Sequence, residues 1–149
     1  MSAFVTAGAG FLLAVLWFDL MFDVQVLGQD ARELPEQCLS SIAAYYARVT
    51  TAARPMNRLI AAVMLGTLAA IVAEITGGGI PSAAAWVSLA LAAAPIVLVA
   101  VRTVPAAVRL GTRADTLERQ SALARSIMRE HVFCFGAILS LIALQLSCV

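Results

Sequence analysis

The sequence predicts an all-α membrane protein with four transmembrane helices, and three observations carry the prediction. Apolar residues make up 62% of the chain and charged residues 13%, where soluble domains average about 45–50% and about 25%. The mean hydropathy is +0.92. The apolar residues gather into four runs of roughly 20 residues, the length that crosses about 30 Å of hydrocarbon at 1.5 Å per residue. Lipid offers the backbone no hydrogen-bond partners, so such runs span as helices or closed barrels. The alternation of barrel strands is absent. No Pro/Gly/Ser-rich linker divides the chain, so a single domain over residues 1–149 is expected.

The first span is expected from Ala3 to Leu27. It has no basic leader and is too long for a signal-peptide core, so a retained helix is expected. The second span runs from Met56 to Thr76, the third from Ser82 to Val101 and the fourth from His131 to Val149. Gly77-Gly78-Gly79-Ile80-Pro81-Ser82 joins the second and third spans as a tight uncharged turn, with Ser82 the expected N-cap.

The other two connections hold all the basic residues, which number 10 and are all arginine. Arg32, Arg48, Arg54 and Arg58 lie in or beside the first. Arg102, Arg109, Arg113, Arg119, Arg125 and Arg129 flank or fill the second. The positive-inside rule places both connections in the cytoplasm, with the N-terminus, the C-terminus and the glycine turn outside. The expected location is a cell membrane of the bacterial inner-membrane kind. Without lysine there is no Schiff-base nucleophile. A net charge of +1 gives no electrostatic footprint for nucleic acid.

Both connections are expected to be helical. Pro35 opens an amphipathic helix to Ala53, with Leu39, Ile42, Ala43, Tyr46 and Val49 on one face, lying on the membrane or packed on the second connection. The third span is expected to continue to Leu110 and stop at Gly111. Asp115 and Glu118 resemble a capping box opening one helix from Thr116 to Ser147. Two extended helices would then project into the cytoplasm. Pro95 should kink the third span. Ala62, Gly66 and Ala70 form a row of small residues suited to close approach of the second and third spans, or to an oligomer interface.

The candidate site lies in the first span. Asp19 and Asp23 are one helical turn apart and share a face. Asp19 falls roughly 24 Å along the helix from Ala3, just inside the cytoplasmic boundary. An ionisable group at mid-depth costs about 2.5–3.5 kcal/mol on insertion scales, so the pair needs partners, water or a ligand. Either it binds a cation, a proton or a cationic ligand, or it anchors to arginines such as Arg54, Arg58 or Arg102. His131 and Cys134 open the fourth span at the same depth, with Ile138, Ile142 and Gln145 continuing their face. Carboxylates, imidazole and thiol at one level are potential ligands for a transition metal, with Asp19, Asp23, His131 and Cys134 as the donors. The simpler role for His131 is a hydrogen bond to a neighbouring helix. Glu74, near the far end of the second span, has no basic partner at its depth; it is expected to reach water, the alternatives being a pair with a partner subunit or a protonated carboxyl. The arginines of the second connection suit anionic lipid head groups or an acidic partner.

Three functions follow. The first is a non-enzymatic subunit or scaffold that self-associates or joins other membrane subunits, with lipid as its surroundings. The second is a small transporter or ligand-binding oligomer whose ligand or ion site draws on Asp19, Asp23, Arg58, Arg102 and His131. The third is a membrane-embedded, metal-assisted enzyme with His131, Asp19 and Asp23 as catalytic candidates. The three cysteines, Cys38, Cys134 and Cys148, show no Cys-x-x-Cys spacing, which argues against dithiol chemistry. No phosphate loop, HExxH or nucleophile elbow is present. No resident cofactor is identified.

Overall fold

A computed structural model describes residues 2–29, 31–78 and 80–148. Gly79, within the expected turn, and Val149, the expected end of the fourth span, lie outside the described residues. Among the described residues every regular element is helical. Four helical stretches are long and apolar enough to cross a membrane: Ser2–Val26, Arg54–Gly77, Ser82–Thr112 and Leu117–Ser147.

Helix α1 covers Ser2–Asp23 and tightens into a 3-10 turn over Val24–Val26. Gly28, at φ +72°, turns the chain where a side chain would be strained. Helix α2 covers Glu36–Ala47, helix α3 Arg54–Gly77 and helix α4 Ser82–Leu98. A π turn over Val99–Thr103 joins α4 to helix α5, Val104–Thr112. Pro95 precedes this wide turn and Pro105 follows it. Each proline removes a backbone donor, so regular i to i−4 bonding is already broken on both sides. Helix α6 runs unbroken from Leu117 to Ser147, about 46 Å of helix.

Helices α1, α3, α4 and α6 form a ring in which α1 and α4 each pack against both α3 and α6. Chain order makes all four neighbouring pairs antiparallel. Val5, Ala9, Leu16, Ile71, Ala92, Ile138 and Leu141 fill the interior. Outside it, Phe4, Trp17, Phe18, Leu65, Trp86 and Phe133 are exposed, a surface suited to hydrocarbon.

A second core caps the arginine-rich end. Helix α2 lays Leu39, Ile42, Ala43 and Tyr46 on Ala107 and Leu110 of α5 and on Ala124 and Ile127 of α6. The amphipathic face is therefore buried on protein. Ion pairs surround this layer: Arg32 with Glu118 at 2.6 Å, Arg109 with Asp115 at 2.7 Å, and Arg113 with Glu36. Arg125 donates to the carbonyls of Gln29 and Arg32, both at 3.1 Å, and so holds the connection after α1 against α6.

Several expectations are corrected. Gly111 does not end the third span. It lies inside α5, where a Cβ would come within 2.9 Å of the Ala47 backbone nitrogen, so its role is close packing on α2. Arg113, in the left-handed region at φ +57°, ends the helix. Thr116, not Asp115, caps α6 by accepting from the Arg119 amide, because Asp115 is engaged by Arg109. Ser82 is the first helical residue of α4 rather than its cap. Ala62 and Gly66 face outward, and only Ala70 of that row is buried. The close approach is instead made by Gly8 of α1, which meets the hydroxyl of Thr67 on α3.

Candidate functional site

The candidate site forms where α1 runs out beneath α2. Leu39, Ile42, Ala43 and Tyr46 share the buried stripe of α2, so burying the stripe carries the Tyr46 ring inward. Tyr45, one residue earlier, turns toward α1 and stacks on Phe22 with centroids 4.0 Å apart. The two phenols therefore reach different carboxylates. The Tyr45 hydroxyl donates to Asp19 Oδ1 at 2.7 Å, and the Tyr46 hydroxyl donates to Asp23 Oδ1 at 2.6 Å. Burial, followed by the neighbouring carboxylates, pushes both phenols well above their ordinary range. They remain donors throughout the physiological range.

Asp23 is fully buried. Its Oδ2 lies 2.6 Å from His131 Nδ1. A carboxylate only accepts, so Nδ1 carries the proton between them. That bond leaves Nε2 as the free nitrogen of the ring. One turn of α1 is thus tied to α2 through two phenols and to α6 through one imidazole. Helix α6 positions His131 because Ile127, His131, Cys134 and Ile138 fall on its buried face.

The site adjoins a cavity of about 520 Å³ between α1, α3 and the α4–α5 helix, closed at one end by α2 and floored by α6. Its deep walls include Leu12, Leu16, Met64, Pro95 and Ile138, all apolar. Asp19, Tyr45, Tyr46, His131, Thr103 and Asn57 supply polar groups toward the arginine-rich end. Among the described residues nothing donates to Asp19 Oδ2, and Asp19 is only partly buried. The paired carboxylate, Asp23, and the half-paired one, Asp19, are therefore distinct in kind.

Neither aspartate pairs with arginine among the described residues. Arg58 is exposed, outside the cavity lining. Arg102 lies 3.4 Å from Glu130 Oε1. Glu130 is also held by Thr103, which donates to Oε2 at 2.8 Å, and by Ser126, which donates to Oε1 at 3.0 Å. The arginine anchor considered for Asp19 and Asp23 is thus replaced by tyrosine and histidine. The reason is local: α2 packs on the bundle and places phenols closer than any guanidinium. Cys134 is buried on the cavity floor beyond His131. Among the described residues no group of three or more His, Cys, Asp and Glu side chains is arranged to hold a metal ion. The metal assignment of Asp19, Asp23, His131 and Cys134 has no geometric support.

Sequence reasoning missed Tyr45 and Tyr46 as site residues. A signal was present: adjacent tyrosines in a short amphipathic helix bring two hydroxyls that need partners when the helix is buried. It also expected Glu74 to reach water, whereas Glu74 is only 2% exposed. Comparison with known proteins leaves the site's geometry as the source of inference, because no family model, no curated protein and no solved structure matches the chain.

Proposed function

We propose that this chain is a polytopic membrane protein that binds an amphipathic organic cation, with its arginine-rich connections in the cytoplasm. The apolar body of the ligand occupies the cavity, and its ammonium head meets Asp19. The observation that carries this proposal is a cavity of about 520 Å³ whose walls are mainly apolar and whose open-sided carboxylate, Asp19, stands at one end. Ligand sites commonly combine apolar walls with a few placed polar groups. Asp23 and His131 support Asp19 rather than compete with it, because they satisfy one another and fix the end of α1. The helix-anchoring on which the scaffold reading rests is met by Asp23 through Tyr46 and His131, and it is the cavity beside Asp19 that favours a ligand. Cytoplasmic placement rests on the arginine distribution.

Equilibrium binding to the purified protein tests this proposal, using a series of alkylammonium ions matched in length to alkylsulfates. Alkylammonium ions are expected to bind and alkylsulfates are not. Asp19→Asn should weaken ammonium binding by roughly tenfold or more, the loss of a charge-assisted hydrogen bond of about 1.5 kcal/mol or above. Equal affinity for both charge types, or an unchanged affinity in Asp19→Asn, refutes the assignment.

A further inference from the structure

The far end of the bundle holds a second polar cluster that the cation site does not use. Each of the four ring helices contributes one residue: Ser2 from α1, Glu74 from α3, Ser88 from α4 and Gln145 from α6. The Gln145 amide nitrogen donates to Glu74 Oε2 at 3.0 Å and to Ser88 Oγ at 3.1 Å. The Ser2 hydroxyl donates to Gln145 Oε1 at 2.8 Å. Glu74, Ser88 and Gln145 are all buried, and Glu74 Oε1 is enclosed with no hydrogen-bond partner among the described residues.

Among the described residues no charged side chain lies near this carboxyl. Helix α1 carries no ionisable side chain before Asp19, and α3 carries none between Arg58 and Glu74. Helix α4 has none at all. Beyond His131, α6 offers only the thiols of Cys134 and Cys148. His131 lies 14 residues before Gln145 on the same helix, about 21 Å away along its axis. An ionised carboxylate buried with one oxygen unpaired and no counter-charge is strongly disfavoured. A neutral carboxyl is not: with the Gln145 amide turned over, its oxygen accepts the proton carried on Glu74 Oε2 and also accepts from Ser88.

We propose that Glu74 is a proton-binding site: its buried carboxyl carries a proton, and Gln145 and Ser88 hold it in place. The ligand is the proton itself, bound at Glu74 with no metal cation. The site is independent of the cation site at the arginine-rich end.

Dicyclohexylcarbodiimide tests this directly on the whole chain in detergent. The reagent is apolar and reacts with protonated carboxyl groups. The proton passes to a carbodiimide nitrogen while the carboxyl oxygen adds to its central carbon, so no group leaves. Peptide mass analysis at neutral pH should find the adduct on Glu74 but not on exposed Glu33 or Glu36. Labelling should fade as the pH is raised and should not change with added sodium, potassium or lithium chloride at constant pH. Infrared spectra should show a protonated-carboxyl carbonyl band that is lost in Glu74→Gln. The measurement on the unsubstituted chain decides the matter even if that variant folds poorly. An unlabelled Glu74 with no such band overturns the proposal, and protection by one of the metal cations overturns it in favour of a cation site.

Discussion

The two ends of the bundle handle buried carboxyls in opposite ways. At the arginine-rich end Asp23 accepts from Tyr46 and His131, and Glu130 accepts from Thr103 and Ser126 with Arg102 nearby. At the glycine-turn end Glu74 receives one amide bond and, among the described residues, keeps an oxygen without a partner. The difference comes from α2. An extra helix laid across one end brings phenols into reach, and the extensions of α5 and α6 bring further polar groups. Among the described residues the other end has only the four ring helices, which offer Glu74 a single donor, the Gln145 amide. A carboxyl can be kept charged where a second layer of protein supplies donors, and it is better kept neutral where none exists.

The comparison is broken most severely by Asp23→Ala. It strands the His131 imidazole and the Tyr46 hydroxyl in a buried site, and the expected loss is about 3–5 kcal/mol. Glu74→Gln, which replaces a neutral carboxyl by an amide of the same shape, should leave stability almost unchanged. Unfolding titrations in mixed detergent micelles report both. Equal losses from the two substitutions would show that the ends do not differ in charge state.

A smaller effect separates two glycines. Gly111→Ala drives a methyl group into the Ala47 backbone, where α2 cannot yield without shifting. The expected cost is about 1–3 kcal/mol. Gly66→Ala meets nothing within 4 Å, and better helix propensity should stabilise it by up to about 1 kcal/mol. The same titrations check the opposite signs. A destabilised Gly66→Ala would mean that its outward face is covered.

The smallest effect concerns the rim. The Arg109 guanidinium beside Asp115 holds its carboxyl below the ordinary value of 3.8. A depressed carboxyl stabilises the fold above its unfolded value and loses that contribution as pH falls through the lower folded value. Melting midpoints of Asp115→Asn and the unsubstituted chain should therefore differ slightly above the ordinary carboxyl value of 3.8 and converge as the pH falls through the lower folded value. A difference that grows as the pH falls would contradict the pairing.

How much was legible in the sequence depended on whether one helix or several decided the outcome. Spans and their ends follow from local hydropathy, so Arg54–Gly77 and Leu117–Ser147 match the expected second span and fourth-helix extension closely. The shared face of His131, Cys134, Ile138, Ile142 and Gln145 follows from helical spacing; all but the half-buried Ile142 are buried. The partners of Asp19 and Asp23 were not legible, because they depend on how α2 folds back over α1. Charge complementarity suggested arginine, but long exposed arginines lose to short-reach phenols already fixed by packing. Glu74 was misjudged for a related reason. Its depth in the span can be read from position, but the face it presents is settled only once α1, α4 and α6 surround it. Gly111 shows the same limit, since a glycine near a helix end has the sequence appearance of a stop whether or not another backbone rests on it.

The wide turn at Val99–Thr103 acts as a phase adjuster. Relative to a regular helix it inserts one residue, which offsets everything downstream by about 100° of rotation. Without that offset, the positions that now point Ala107 and Leu110 at α2 would be rotated around the cylinder. Membrane-crossing segment and end-cap helix can thus each keep the apolar stripe its own surroundings require. A single-residue deletion within the turn would close it into regular helix and keep the cap facing the bundle, whereas a deletion elsewhere in α4 or α5 would turn the cap away.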